Sequence, residues 1–331
     1  MDDSRAPLVD VHAHFLTPHY VEQAKNAGHL RPDGMGAWPT WEKARHLELM
    51  DQQRIATSLL SISSPGTHFG DDKAARTLTR HVNEAGADLK RDNPDRFGHF
   101  ASLPLPDTDA ALDELAYAMD ELGSDGVTIE TNAHGTYLGD PRYRPLLAEL
   151  DRRRTPVFVH PTSPPNYETV SLGRPRPMLE FIFDATRTVS DLVFNDRLQQ
   201  YPDIPWVFTH GGGTLPLLAQ RMELFRSVFA SSTTSTTTSD TSPSVPVPEQ
   251  ISRLWFDIAG TPFPHQVPAL AASCGTQRLL YGSDYCFTPA SGVTEQVDSI
   301  EAAPQPDADT WRALTTRNAG RLFPRLLRIT S

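Results

Sequence analysis

Short β-rich apolar runs recur along the chain at residues 8–12, 57–62, 99–103, 126–130, 157–160, 206–210, 254–258 and 279–281. Between them, apolar residues return every three or four positions, as in Leu47, Met50 and Ile55 or Leu112, Leu115, Met119 and Leu122. That spacing predicts amphipathic helices that lay one face against a sheet. Eight strands alternating with helices predict an α/β fold in which a parallel sheet closes on itself, the (β/α)8 or TIM barrel. A barrel of this kind accommodates all 331 residues as one domain.

The pattern breaks once. Residues 231–244 are dominated by Ser and Thr and run into Val245-Pro246-Val247-Pro248. So little apolar surface cannot offset the entropy of ordering, which predicts a mobile surface insertion over about 231–248, between the sixth and seventh strands.

Composition narrows the partners. A formal net charge of −11 disfavours nucleic acid and anionic membrane, which need clustered Lys and Arg. The two cysteines, Cys274 and Cys286, form no CxxC pair and point to neither a disulfide framework nor a thiolate zinc site. With a charged start and no apolar run long enough to span a bilayer, the expectation is a soluble cytoplasmic protein.

The chemistry gathers at the ends of the runs. Along Leu8-Val9-Asp10-Val11-His12-Ala13-His14, strict alternation puts Asp10, His12 and His14 on the face toward the barrel axis and Val9, Val11 and Ala13 on the other. Buried polar groups need partners, and two imidazoles two residues apart can meet on one divalent ion. Three further runs stop at His160, His210 and Asp284. In a (β/α)8 barrel such strand ends converge on one mouth, so all of these residues are expected in a shared site.

Four segments carry a family resemblance: Val11-His12-Ala13-His14-Phe15-Leu16, Val159-His160-Pro161, Thr209-His210-Gly211-Gly212-Gly213 and Tyr281-Gly282-Ser283-Asp284-Tyr285-Cys286-Phe287. They resemble the signatures of the amidohydrolase-2 group, which includes aminocarboxymuconate-semialdehyde and salicylate-type decarboxylases. Residues 60–68 and 97–106 are most similar to 6-methylsalicylate decarboxylases. The resemblance implies a divalent ion held by His12, His14, His160 and Asp284, with Zn2+ first and Mn2+ as the alternative. It also implies an acid–base role for His210. Arg221, eleven residues after His210, takes the place of an arginine that grips the substrate carboxylate in a neighbouring subunit, which implies a homodimer. Phe287 is expected against an aromatic ring. Trp38 and Trp41 are expected either in the wall of an aromatic pocket or in the core, and Cys286 in packing or pocket lining.

The implied reaction is non-oxidative decarboxylation of a small aromatic acid, 6-methylsalicylate to 3-methylphenol and CO2, with the proton delivered by Asp284 or His210. The alternative is hydrolysis of a lactone, ester or amide, because the same ligand set can activate water. Region 34–41 offers no arginine matching the substrate-binding one of the muconate-semialdehyde enzymes, which counts against that substrate.

Overall fold

The computed structural model describes residues 6–229, 245–306 and 309–326. Eight strands pair in parallel and in chain order: β1 (Leu8–His14), β2 (Ile55–Ser61), β3 (Phe97–Ser102), β4 (Gly126–Glu130), β5 (Val157–His160), β6 (Trp206–Phe208), β7 (Trp255–Asp257) and β8 (Leu279–Leu280). Parallel bridges from Asp10 to Tyr281 and from Ala13 to Tyr285 join the last strand to the first. The sheet is therefore a (β/α)8 barrel, and closure leaves no open edge.

Helix ends set where strands begin. The helix Lys43–Gln53 stops because Arg54 takes a left-handed conformation with φ 56°, and the chain turns straight into β2. Ile55, expected on that helix, opens the strand instead. Likewise the helix Thr108–Asp120 ends before Leu122.

One expectation fails inside β1. Between Asp10 and Ala13 the strand uses three residues where β2 uses two, from Ser58 to Leu60. This bulge breaks strict alternation and re-aims the side chains. Val9 and Val11 join Leu59, Phe100, Phe158, Val207, Trp255 and Leu280, residues of six other strands that can meet only in the lumen. Asp10 instead accepts hydrogen bonds from the Ser58 and Ser283 hydroxyls and from the Ser283 amide, and is fully buried. His12 and His14 lie past the bulge and do face the axis.

The lumen is floored from the C-terminus. Phe323, just after the helix Trp311–Leu322, packs on Phe100, which stacks on Phe158 at 5.2 Å. Arg325 pairs with Asp125 where β4 begins. The opposite end is left for chemistry.

Most of the expected Ser/Thr-rich insertion, residues 230–244, lies outside the described residues. At its far end the chain is described again from residue 245. Val247–Ser252 is a helix with Val247 and Ile251 buried, and Pro248 sits in a first turn, where a missing N–H costs nothing. Among the described residues no helix is long and apolar enough to cross a membrane.

Candidate metal centre and acid–base site

The ends of β1, β5 and β8 bring His12, His14, His160 and Asp284 together, each offering one donor atom within 4.8 Å of the others. His12 Nε2 lies 3.1 Å from His14 Nε2, and Asp284 Oδ1 lies 3.1 Å from His14 Nε2 and 3.4 Å from His12 Nε2. An ion about 2.0–2.1 Å from each donor in a tetrahedral shell spaces the donors by about 3.3–3.4 Å. The donor set therefore fits a divalent metal ion.

The far side of each ring is tied down. His12 Nδ1 donates to Asp257 Oδ2 at 2.9 Å, His14 Nδ1 faces the Ser61 carbonyl at 3.3 Å, and His160 Nδ1 donates to the Pro161 carbonyl at 2.7 Å. A proton held on Nδ1 leaves the Nε2 lone pair for a metal, the usual outer support of imidazole ligands. Ser63 Oγ stands 3.3 Å from His160 Nε2.

Electrostatics agree with that arrangement. Burial pushes His14 down and His160 well below its ordinary range, keeping both imidazoles neutral. Burial opposes charge on Asp284 too, yet the His12 charge and the bonds from His12 and His14 hold its carboxyl well below the usual range. For His12 burial lowers the pKa, but the Asp257 and Asp284 carboxylates outweigh it and raise it to about 10. Asp257 on Nδ1 and Asp284 beside Nε2 thus flank the His12 ring with two ionised carboxylates, and a divalent ion on the Nε2 side would displace the proton there.

His210 follows β6 in a left-handed conformation, φ 49°, and Asp284 has φ 56°. Non-glycine residues in that region are held by their surroundings, commonly at functional sites. The His210 backbone N–H donates to Asp257 Oδ1 at 2.9 Å, and its ring lies 5.1 Å from that of His12. Gly211, Gly212 and Gly213 all have positive φ, and a Cβ on Gly213 would stand 2.0 Å from the Ile182 carbonyl oxygen. The triplet makes a tight packed turn, and none of the three glycines lines the cavity described next.

A cavity of about 360 Å³ opens on the centre. Met178, Phe181, Ile182 and Phe287 give it an apolar wall, and His160, His210, Asp284 and Asp33 a polar one. Phe287 meets His14 edge-on at 5.5 Å. Trp38 does not line the cavity but backs Phe287 at 6.4 Å, while Trp41 packs on Phe15 and bonds to His46. Cys286 is buried, its thiol pushed up to about 12 by burial, and it is not among the lining residues.

Arg221 is not brought to this cavity. It lies exposed on the helix Leu215–Phe229 with its guanidinium over the Phe225 ring. Among the described residues, no Lys or Arg lines the cavity.

Sequence reasoning passed over Asp257, which lies inside the run read as 254–258, whereas the strand itself, Trp255–Asp257, closes on it. It also missed Asp33, Ser63 and the wall at 177–182, which no local pattern marks. A second cavity of about 430 Å³ over the ends of β3, β4 and β5 shares Asp33, which accepts from Ser163, itself bonded to Arg176.

Comparison with known proteins places this geometry. A family model described as amidohydrolase matches residues 9–325. The chain is 34% identical to decarboxylase yanB of Aspergillus niger, over 96% of this chain and 87% of that protein. It is 33% identical to 6-methylsalicylic acid decarboxylase acuB of Aspergillus aculeatus, over 97% of each. A crystal structure of an amidohydrolase II superposes with a TM-score of 0.85 at 31% identity, covering 96% of this chain and 99% of the other. A dihydroxybenzoic acid decarboxylase from Polaromonas sp. JS666, with bound manganese, shares the fold at a TM-score of 0.79 and 20% identity, over 96% and 97%. On a family match that spans nearly the whole barrel, the chain belongs to the amidohydrolase family.

Proposed function

We propose that the chain is a metal-dependent carboxy-lyase that decarboxylates a 2-hydroxybenzoate, 6-methylsalicylate, to 3-methylphenol and CO2. The observation that carries this reading is the set of four donors converging at one end of a cavity with an apolar wall and an adjacent histidine. Full-length similarity to a 6-methylsalicylic acid decarboxylase supports the choice of acid.

His12, His14, His160 and Asp284 would hold the ion. We assign zinc, supported by three imidazoles and one carboxylate, with manganese the alternative. A divalent ion supplies Lewis-acid stabilisation of charge on the phenolic and carboxylate oxygens. Phe287 and Phe181 confine the aromatic ring. The bond from the ring to the carboxylate carbon breaks, CO2 leaves, and the ring carbon takes one proton drawn ultimately from solvent. Asp284 Oδ2, which faces Thr288 rather than the histidines, and the half-buried His210 are the two groups placed to deliver it.

Among the described residues no cationic side chain lines the cavity, which supports a homodimer in which Arg221 of a second copy holds the carboxylate. Leu217, Arg221, Leu224 and Val228 follow helical spacing on one face, and the three apolar members are 77%, 55% and 57% exposed. Such a stripe fits burial against another copy. Cys274 and Cys286 are free thiols, in keeping with residence in a reducing cytosol.

The test is a panel of substituted salicylates incubated with zinc- or manganese-loaded protein, with release of CO2 and the phenol followed. Turnover of 6-methylsalicylate is expected. Opening of lactones, esters or amides with no CO2 from any salicylate would replace this reading with that of a hydrolase.

A further inference from the structure

We infer that Asp257 is a positioning residue that couples the metal ligand His12 to the acid–base residue His210, setting the tautomer of one and the placement of the other. The inference rests on the roles proposed above for those two histidines. Asp257 closes β7, is fully buried, and divides its carboxylate between them.

Oδ2 takes the His12 side. A carboxylate oxygen only accepts, so the 2.9 Å contact requires the proton on His12 Nδ1 and leaves the Nε2 lone pair for the ion.

Oδ1 takes the His210 side. It accepts from the backbone N–H of His210 at 2.9 Å and of Ala259 at 3.0 Å, while the Ala259 carbonyl lies 3.4 Å from His210 Nδ1. One oxygen thus holds His210 twice, directly through its main chain and through Ala259 at its ring. That hold matters because His210 sits at φ 49° and is followed by Gly211 at φ 65°, a conformation with no intrinsic preference to sustain it.

Asparagine at 257 cannot serve both sides. With its oxygen kept on the two main-chain N–H groups, its NH2 faces His12 Nδ1. The His12 proton must then move to Nε2, the atom aimed at the ion. Turned the other way, the NH2 confronts two N–H donors and loses both bonds. The first orientation is favoured, so Asp257→Asn should damage metal binding more than His210 placement. Asp257→Ala removes both supports.

The experiment measures zinc affinity by chelator competition, and kcat and KM at saturating zinc, for the wild type, Asp257→Asn, Asp257→Ala and His12→Ala. Both Asp257 variants are expected to bind zinc about 10- to 100-fold more weakly, the usual cost of losing an outer partner of a ligand. At saturating zinc, kcat of Asp257→Asn should exceed that of Asp257→Ala at least about tenfold, within the range of one general acid–base group. A merely structural role would lower melting temperatures without this split. Wild-type zinc affinity in Asp257→Asn would overturn the inference, as would equal kcat for the two Asp257 variants. Should Asp257→Ala not fold, the asparagine variant still decides the metal arm. Full zinc retention by His12→Ala would overturn the ligand reading beneath it, and chelator competition reports that without any turnover.

Discussion

At the scale of single residues, the proposed roles of Asp284 and His210 are two tasks that share one neighbourhood. Asp284 contributes an oxygen to the donor cluster, whereas His210 lies beside the cluster and is bonded through its backbone and Nδ1 to other groups. Their replacements should therefore differ in kind. Asp284→Ala is expected to purify with little bound metal and no turnover. His210→Ala should keep the metal while kcat falls about 10²- to 10⁴-fold, the contribution of one general acid–base group. Metal content by mass spectrometry beside CO2 release measures both, and full activity in either variant would reject its role.

Elements decide where those residues point. The β1 bulge lets His12 and His14 reach the axis while Val9 and Val11, below them, fill the lumen. After β6, the glycine turn drops the chain against the helix Glu180–Phe194 so closely that Gly213 admits no side chain. Gly213→Ala combines a left-handed φ of 70° with a collision against the Ile182 carbonyl. It should cost at least about 2 kcal/mol, the scale of backbone strain plus overpacking. Urea unfolding measures this, and a loss below about 0.5 kcal/mol would show that the turn can relax.

For the whole molecule, buried histidines outside the donor cluster tie stability to pH. Burial, with the charge of Arg96 adding, lowers His46 to about 3; burial, with Lys90 adding against Asp125, does the same for His99. Both are neutral in the folded state, while the unfolded chain titrates them near the ordinary imidazole value of 6.5. Between those values the unfolded state binds more protons, so stability is intact above pH 6.5 and falls as pH drops toward 3. From pH 7 to pH 5 each should lose about 2 kcal/mol. His99→Gln should show a pH dependence shallower by that amount in denaturant titrations, and an unchanged slope would refute it. Assembly belongs to the same scale. Leu224→Glu, in the exposed stripe around Arg221, should shift sedimentation toward monomer and raise KM for the aromatic acid. A wild-type protein that sediments as a monomer at assay concentration would remove the dimer.

What the chain determined by itself was local. Apolar periodicity marked eight strands, because covering a parallel strand demands apolar residues wherever it lies. The polar residues closing those runs, His160, His210 and Asp284, fell at the mouth because a parallel barrel delivers every strand's C-terminal end to one side. Only the tertiary structure decided register and company. The bulge that inverts Val9, Asp10 and Val11 follows from pairing with β2, and alternation alone reads straight through it. Asp257 acquires its part from His12, 245 positions away in the chain. Asp33 and the wall at 177–182 border the site because the short turns Pro32–Gly34 and Arg176–Met178 and the start of the helix Glu180–Phe194 are carried over the mouth, which no local pattern announces. Short-range pattern follows from what each residue can bury; the site's geometry follows from which distant strands closure sets side by side.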